Sequence, residues 1–321
     1  MKLVIQIPCL NEESTLGEVL DSIPRKIVGF DSVEVVVIDD GSTDKTIDVA
    51  QKHGVDTIIR HRSTRGLAEA FRSGVDYALT HGADVLVNTD GDNQYPQGDI
   101  PRLVAPVVNG TADIVVGNRQ THKISHFSRS KKALQKIGSG VVNKAAGTQI
   151  PDAASGFRAY SRTALIKLNL VTKFSYTMET IIQAGYKRLA IDSLRIKTNP
   201  KTRESRLFKS TPEHVLKSAA AIIRSFLMYR PYTLFGSLGG LLGLLGLIPF
   251  IRYVAVSALG LPGEFIQSLL LGVSLLTASL LAFALGVIAD LIRINRQLIE
   301  DGLSIQKAHQ AVQSLSDNHR V

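Results

Sequence analysis

The sequence predicts an α/β fold, a mostly parallel β-sheet with flanking helices, followed by two transmembrane helices near the carboxyl terminus. Short apolar runs alternate with helical patterns over residues 1–118, which is typical of a parallel sheet covered on both faces. Two later runs of 19 and 25 residues carry no charge. The chain is also both basic, with a net charge of +9, and apolar, with a mean hydropathy of +0.12. These overall values are therefore averages over two kinds of segment, one basic and one apolar.

Five apolar runs predict the strands of the sheet: Leu3–Ile7, Val33–Ile38, Thr57–Ile59, Val85–Val87 and Ile114–Val116. Helical patterns separate them: Ser14–Ser22, Thr43–Lys52, Gly66–Thr80 and Ile100–Asn109. In open α/β sheets, ligands bind at the carboxyl ends of the strands. This rule points at three polar loops: Pro8–Glu13, Asp39–Asp44 and Asp90–Gln94.

The three loops differ in the chemistry that they suggest. In the second, VIDDGSTD, Ser42 or Thr43 is expected to cap the next helix, with Asp44 in its first turn. Taken alone, this loop is explained better by an ordinary strand-to-helix turn than by a binding site. In the third, VNTDGDNQYP, Asp90 and Asp92 can both reach one hard cation. A polar turn would show the same D-x-D spacing.

Two charge-free runs, Thr233–Ile251 and Phe265–Ala289, predict the transmembrane helices. At 1.5 Å per residue they would be about 28 and 37 Å long, enough to cross a hydrocarbon core of about 30 Å. Two buried core helices of a soluble protein are the alternative. The glycines of SLGGLLGLLG suit close helix packing, within the chain or between subunits.

Basic residues set the predicted orientation. Between Arg195 and Arg230 there are nine Lys and Arg residues and two acids, while the linker between the spans holds one Arg and one Glu. The positive-inside rule places both flanks in the cytoplasm of a multi-pass protein of the cell inner (plasma) membrane. We expect a cytoplasmic domain over 1–210, a juxtamembrane amphipathic helix over 211–231, two transmembrane helices with a short external loop over 232–290, and a cytoplasmic tail helix over 291–321.

Several classes of protein and site are excluded or disfavoured. Disordered chains are richer in charge and poorer in apolar residues. The single cysteine, Cys9, excludes a disulfide framework and a cysteine zinc site, and it is expected to be a packing residue. No G-x-G-x-x-G follows the first strand, which disfavours a dinucleotide site. The chain has no Trp and no basic–aromatic interleaving, which argues against nucleic-acid binding.

Six motifs in order resemble those of family 2 glycosyltransferases, which have the GT-A fold. They are most similar to the branch that transfers sugars to polyprenyl phosphates, with dolichol-phosphate mannose synthase and the bacterial GtrB-like proteins. The motifs are IPCLNEE, VIDDGSTDKT, TDGDNQYP, GNR at 117–119, DAASGFRAYSR at 152–162 and RESRL at 203–207. Gly91 stands where the family has Ala in D-A-D-x-Q, and RESRL is a compressed R-x-x-G-x-S-K with Arg206 in place of the Lys. The resemblance covers about residues 1–210.

The resemblance implies roles for the matched residues. The donor, a nucleotide sugar, is expected to bind Pro8, Asn11, Glu12, Asp40, Ser42, Asp90 and Gln94. A Mg²⁺ or Mn²⁺ ion is expected at Asp90, Asp92 and Gln94. Catalytic roles are expected of Asp92, Arg119, Asp152 and Arg158. Asp152 would orient the acceptor or act as a base, or it is an ordinary loop residue. The remaining matches are the sugar and acceptor pocket at Ser155, Gly156 and Phe157, the acidic Glu179, and the basic loop of Arg203, Ser205 and Arg206.

The charge pattern also suits an anionic acceptor. From Ile114 to Pro151 there is no acid but there are seven Lys and Arg residues, among them Arg129 and Lys132. A lipid monophosphate has a second pKa of about 6 and is largely dianionic in the cytosol. It therefore needs cations that offset phosphate repulsion more than it needs a strong base. A solvated helix face, or attraction to anionic lipid, would give the same run.

These observations predict an inverting transferase that moves a sugar from a nucleotide sugar to undecaprenyl or another polyprenyl phosphate at the cytoplasmic membrane face. Glucose from UDP-glucose is preferred, on similarity to GtrB-like proteins. The alternatives are mannose from GDP-mannose or another sugar, and a non-catalytic membrane-anchored scaffold that binds nucleotides. The family suggests a homo-oligomer, specifically a tetramer, and nucleic acid is not an expected partner.

Overall fold

The computed structural model describes residues 1–121, 129–170, 176–200, 231–260 and 262–318, with the side chains of residues 129–135, 137, 145 and 311–318 left aside. The chain divides into two compact units, Met1–Ile222 with Glu300–Val321, and Ile223–Ile299. The amphipathic helix predicted over residues 211–231 lies outside the described residues, except for its last residue.

The first unit is built on a seven-stranded sheet with the order β3-β2-β1-β4-β6-β5-β7. Its strands are β1 (Lys2–Cys9), β2 (Ser32–Asp39), β3 (Thr57–Arg60), β4 (Val85–Asn88), β5 (Ile114–Asn118), β6 (Arg158–Ser161) and β7 (Ile191–Arg195). All run parallel except β6, which is antiparallel to β4 and β5. The predicted mostly parallel α/β fold is confirmed, and the carboxyl ends of the six parallel strands meet at one edge.

Two strands, β6 and β7, have no counterpart among the predicted strands. β6 reads RAYS, and its first three residues are buried between β4 and β5 although one of them is Arg158. β7 reads IDSLR and is a partly exposed strand at the end of the sheet. Neither strand has the apolar run that predicts a strand. Both are strands because they pair with neighbours that are distant in the sequence.

Helices cover the sheet between the strands. They are α1 (Leu16–Ser22), α2 (Thr46–Lys52), α3 (Leu67–Thr80), α4 (Ile100–Val108), α5 (Arg129–Ala146), α6 (Arg162–Lys167) and α7 (Tyr176–Tyr186). The first four confirm the predicted helices, but α2 begins three residues later than predicted. Asp44 Oδ1, not Ser42 or Thr43, accepts from the first amide of α2, the Thr46 N–H, at 3.0 Å. The predicted capping residues were therefore wrong, because Ser42 and Thr43 bond to the first loop instead.

The core explains why the β1 pattern is apolar at four of the five positions from Leu3 to Ile7. Leu3, Ile5 and Ile7 on one face of β1 and Val4 on the other are all inaccessible to solvent. Burying one such side chain contributes about 1.5–3 kcal/mol. Cys9 is buried in the same apolar cluster, which confirms its predicted packing role. The strand holds its end, and hence the first loop, rigidly at the edge of the sheet.

The second unit contains the two predicted spans. They lie in α8 (Pro231–Ala258) and in α9 (Ile266–Asn318). Both helices are long and apolar enough to cross a membrane, and only 11% and 22% of their most apolar windows is buried. Core helices of a soluble protein would be mostly buried, so this exposure favours the membrane interpretation. α9 continues as one helix to Asn318, so the predicted tail helix is continuous with the second span.

The glycines of the first span pack against the second span within the chain. A methyl group at Gly239 would lie 3.1 Å from the Phe283 ring, and one at Gly246 would lie 3.1 Å from the backbone nitrogen of Leu276. The Ser279 hydroxyl donates to the Gly239 carbonyl at 2.7 Å. Small residues allow this close approach, which is how helices associate in lipid.

Candidate functional site

The carboxyl ends of β1, β2 and β4 bring the three polar loops to one edge of the sheet. Cys9 at the end of β1 is in register with Asp39 at the end of β2, and Gln6 with Asn88 at the end of β4. The three loops are therefore neighbours, as the sheet rule predicts. Pro8, predicted to bind the donor, is a buried residue of β1 beside this edge.

The first two loops are locked together by hydrogen bonds between side chains and backbone. Five of them join the first loop to residues 42–46, which are the end of the second loop and the start of α2. They are Asn11 N–H to Ser42 Oγ (2.9 Å), Thr43 N–H to Asn11 Oδ1 (2.8 Å), Glu12 N–H to Thr46 Oγ1 (2.8 Å), Glu13 N–H to Asp44 Oδ2 (3.2 Å) and Lys45 N–H to Glu13 Oε2 (2.9 Å). Asn11 adopts φ 57°, a left-handed conformation that Asn tolerates. The motif residues Asn11, Glu12 and Ser42, predicted to bind the donor, thus take part in fixing the first two loops to each other.

Asp40 fixes a further loop at the same edge. Its buried carboxylate accepts from the backbone N–H groups of Arg65 (2.9 Å) and Gly66 (2.8 Å), directly before α3. The His61 ring lies 2.7 Å from Oδ1 of the same carboxylate. Gly41 has φ +84°, and a methyl group there would lie 3.0 Å from the Thr64 nitrogen. Asp40 therefore holds residues 61–66 against the second loop.

The third loop presents Asp90 and Asp92. A methyl group at Gly156 would lie 3.2 Å from both carboxylate oxygens of Asp90 and 3.0 Å from the Tyr176 hydroxyl. The missing side chain of Gly156 is what leaves room for the Asp90 carboxylate. Asp92 Oδ1 accepts from the Gln94 N–H at 3.1 Å, which shapes the turn.

Arg119 and Asp152 form a buried, bidentate ion pair. Arg119 Nε donates to Asp152 Oδ2 at 2.8 Å, and Nη2 donates to Oδ1 at 2.9 Å. Arg119 Nη1 also reaches Gln94 Oε1 at 3.3 Å, so the pair is linked to the third loop. Burial by itself raises the pKa of Asp152, but the charge and hydrogen bonds of Arg119 outweigh it and lower that pKa. A carboxylate of lowered pKa with both oxygens in an ion pair is a poor general base.

Gln94, predicted as a metal ligand, uses its amide oxygen to accept from Arg119. Its backbone carbonyl accepts from the Asn199 N–H at 3.0 Å. The Asn199 side chain donates to the carbonyl of Asn93 at 3.0 Å. Residues that follow β7 thus pack directly on the third loop.

Arg158 is completely inaccessible to solvent. Its guanidinium donates to three backbone carbonyls, those of Ser155, Thr177 and Ala153, each at 2.8 Å, and to the Thr180 hydroxyl at 2.7 Å. These bonds tie the loop before β6 to the first turn of α7. The placement differs from the predicted catalytic contact, because a residue so enclosed holds the loop that carries Ser155 and Gly156.

Ser155 is also inaccessible, and within the described part of the chain its hydroxyl has no hydrogen-bond partner. A buried polar atom of this kind is costly unless a water or a ligand satisfies it. Phe157 stacks on Tyr95 with ring centroids 5.2 Å apart. Glu179 is buried in α7 and its Oε1 accepts from Gln183 at 3.1 Å.

Sequence reasoning missed a chain of buried polar side chains beneath the site. Gln6 donates to Asn88 Oδ1 at 2.8 Å, and Asn88 Nδ2 donates to the Gly156 carbonyl and the Tyr176 hydroxyl at 2.9 and 2.8 Å. The Gly156 N–H donates to the Tyr95 hydroxyl at 2.9 Å, and burial raises the pKa of Tyr95 to about 12. Single polar residues inside the apolar runs KLVIQIP and VLVN were the available signal.

The predicted basic residues are only partly described. Arg129 and Lys132 lie on α5, with their side chains outside the described set, and Arg203, Ser205 and Arg206 lie outside the described residues. A cavity of about 590 Å³ opens near the carboxyl ends of β5 and β7. Three cationic side chains and one acid are among its lining residues, Pro96, Gly98, Asp99, Arg102, Gln120, Arg195, Ile196 and Lys197.

Comparison with known proteins agrees with this architecture. The undecaprenyl-phosphate mannosyltransferase of Micrococcus luteus is 33% identical over 180 residues, 53% of this chain and 70% of that one. The dolichol-phosphate mannosyltransferase of Pyrococcus furiosus is 32% identical over 200 residues, 59% of this chain and 54% of that one. The crystal structure of glucosyl-3-phosphoglycerate synthase from Mycobacterium tuberculosis in complex with UDP superposes with a TM-score of 0.55 at 22% identity, over 70% of this chain and 79% of that one.

That structural likeness shows the fold alone, and it confirms the predicted GT-A architecture. The sequence family described as Glycosyl transferase family 2 matches residues 4–168, which is more than half of the chain. The chain therefore belongs to glycosyl transferase family 2.

Proposed function

We propose that this glycosyltransferase moves a sugar from a nucleotide sugar to a polyprenyl phosphate at the cytoplasmic face of the plasma membrane, with inversion at the anomeric carbon. The observation that carries the proposal is that Gln94 links the loop of Asp90 and Asp92 to the buried Arg119–Asp152 pair. The named relatives act on undecaprenyl and dolichol phosphates, and the two apolar helices suit a lipid substrate.

The donor is proposed to be UDP-glucose or GDP-mannose. The relatives with names include two mannosyltransferases and an N-acetylglucosaminyltransferase, while the structural neighbour was crystallised with UDP. The interlocked first and second loops are proposed to hold the nucleoside of the donor. A homotetramer stays a prediction from the resemblance.

Asp90 and Asp92 fit a divalent cation. No group of three or more Asp, Glu, His or Cys side chains that could hold a metal lies in the described part of the chain. Mg²⁺ does not need such a group, because it commonly binds one or two carboxylates together with substrate phosphates. Gly156 leaves the space in which the Asp90 carboxylate stands. A bound Mg²⁺ or Mn²⁺ would neutralise the negative charge that develops on the leaving diphosphate. Gln94 is better suited to orienting Arg119, to which its amide oxygen is bonded.

Arg119 and Asp152 are proposed to position the acceptor phosphate. Asp152 holds the guanidinium in one orientation, and the ion pair keeps that charge in a buried place. Because the acceptor phosphate is already an anion, it attacks without a proton transfer to Asp152. The cationic cavity near β5 and β7 supports binding of an anionic acceptor, since its Arg102, Arg195 and Lys197 would attract a lipid phosphate.

One assay tests the proposal. The purified full chain, in detergent, is incubated with undecaprenyl phosphate, Mn²⁺ or Mg²⁺, and labelled UDP-glucose, GDP-mannose or UDP-N-acetylglucosamine. We expect a labelled, lipid-extractable product from one of these donors and none when EDTA is present. Absence of product from every donor would contradict transfer to a polyprenyl phosphate.

Gly156→Ala is expected to lower kcat by about tenfold or more, because the new methyl group would push the Asp90 carboxylate or the Tyr176 hydroxyl aside. Steady-state kinetics measures the change. Gly140→Ala is the matched control, since no atom of the residues that the structure describes lies within 4 Å of a methyl group there. Equal activity of the two variants would show that Asp90 tolerates displacement.

A further inference from the structure

The tail segment, residues Glu300–Gln310 of α9, belongs to the same compact unit as the sheet. Its partner is the short connection after α6. Lys307 Nζ donates to Asn169 Oδ1 at 2.8 Å and to the Leu168 carbonyl at 3.1 Å. Asn169 Nδ2 donates to the Glu300 carbonyl at 3.4 Å. Both polar atoms of the Asn169 side chain therefore bond to the tail segment.

The backbone of Asn169 bonds to α7, whereas its side chain bonds to the tail segment. Its N–H donates to Gln183 Oε1 at 2.9 Å, and its carbonyl accepts from Gln183 Nε2. Gln183 Nε2 also donates to Glu179 at 3.1 Å. Asn169, Gln183 and Glu179 are all buried. Asn169 thus joins the tail segment to α7 through two separate sets of bonds.

A second contact strengthens the docking of the tail segment. Lys187, just after α7, forms an ion pair with Glu300 at 3.1 Å, and both side chains are largely buried. The same ammonium donates to the Lys167 carbonyl at 2.6 Å. A largely buried, hydrogen-bonded pair is screened far less than a surface pair. The tail segment is therefore attached at the start of the α6–α7 connection and just beyond the carboxyl end of α7.

The other end of α7 touches the candidate site. The Tyr176 hydroxyl lies 2.8 Å from Asn88 Nδ2 and next to Gly156, which faces Asp90. The Thr177 carbonyl accepts from Arg158. Moving α7 along its axis would move these contacts and hence the cradle of Asp90. The hydrogen bonds that interlock the first and second loops at Asn11 and Ser42 join those loops to each other and involve no residue of α7.

We propose that Asn169 is a positioning residue, held by Lys307 of the tail segment, that sets α7 and through it the metal side of the candidate active site. The proposal rests on the proposed function. It predicts a selective defect: turnover falls when the tail segment is released, while nucleotide binding at the first and second loops is kept.

The test compares four variants of the full chain in detergent: Lys307→Met, Lys307→Arg, Asn169→Ala and, as an exposed control on the same helix, Gln306→Met. We expect Lys307→Met and Asn169→Ala each to lower kcat by about tenfold with the donor KM changed less than about twofold. Lys307→Arg should keep about half of the activity or more, because it retains charge and donors. The double variant Lys307→Met/Asn169→Ala should be no worse than the poorer single one.

Hydrogen exchange of α7 provides a readout that does not depend on activity. We expect faster exchange over residues 176–183 in Lys307→Met and Asn169→Ala, and unchanged exchange in Gln306→Met. Normal kcat with normal exchange in Lys307→Met, multiplying effects in the double variant, or an equal loss in Gln306→Met would each overturn the proposal. If the wild-type chain transfers no sugar, the proposed function fails, whereas the exchange data still decide whether the tail segment holds α7.

Discussion

Asp92→Asn is expected to lower kcat by about 10³-fold while the protein stays folded. The change removes one negative charge from the third loop but keeps the shape of the side chain. The amide oxygen of the new side chain can still accept from the Gln94 N–H that Asp92 bonds at 3.1 Å. The loss arises because a divalent cation held by Asp90 and Asp92 would neutralise charge that appears only as the diphosphate leaves. Initial rates across a series of Mg²⁺ or Mn²⁺ concentrations measure the effect.

The control for this variant is Asp21→Asn. Asp21 is an exposed acid of α1 whose carboxylate lies 2.7 Å from His53, so the change alters the net charge equally without touching the third loop. We expect its kcat to equal that of the wild type. Asp92→Asn with wild-type kcat and an unchanged metal requirement would refute the assignment of Asp92 as a metal ligand.

Asp152→Asn is expected to destabilise the protein by about 3–5 kcal/mol, because it leaves the buried Arg119 guanidinium without its counter-charge. For a unit of this size, such a loss lowers Tm by roughly 10 °C. Thermal unfolding of the full chain in detergent, followed by circular dichroism, measures it. Activity is expected to fall as well, because Arg119 loses its fixed orientation.

The double variant Arg119→Met/Asp152→Asn separates stability from activity. Replacing the whole pair with uncharged groups is expected to recover most of the lost stability, since no buried charge remains. It should not recover turnover, because the guanidinium is gone. A stable double variant with wild-type kcat would show that the pair is structural only.

The pH dependence of stability follows from the same pair. Arg119 lowers the folded-state pKa of Asp152, so the stabilisation is complete above the unfolded-state pKa of about 3.9 and is lost as pH falls through the folded value. The Tm difference between wild type and Asp152→Asn is therefore expected to be constant near neutral pH and to shrink on acidification below about pH 4. A difference that grows on acidification would contradict the sign of the shift.

The predicted site residues show which roles a motif can and cannot reveal. Asn11 and Ser42 were assigned to the donor, yet the structure also uses them to lock two loops together. Arg158 was assigned to catalysis, yet its guanidinium is enclosed by backbone carbonyls. A motif shows which residue type occurs at a position. It does not show whether that residue contacts the substrate or holds the structure together.

The amino-acid sequence alone was enough to predict the first five strands, the three loops at their carboxyl ends and the two apolar spans. These features are local, because an apolar run or a helical period depends only on residues a few positions apart. Three features became visible only in the folded chain. Strand β6 inserts antiparallel between β4 and β5, Arg119 pairs with Asp152, and Lys307 bonds to Asn169, 138 positions away. Such contacts join segments with unrelated local patterns, and packing of the whole unit sets which of them meet.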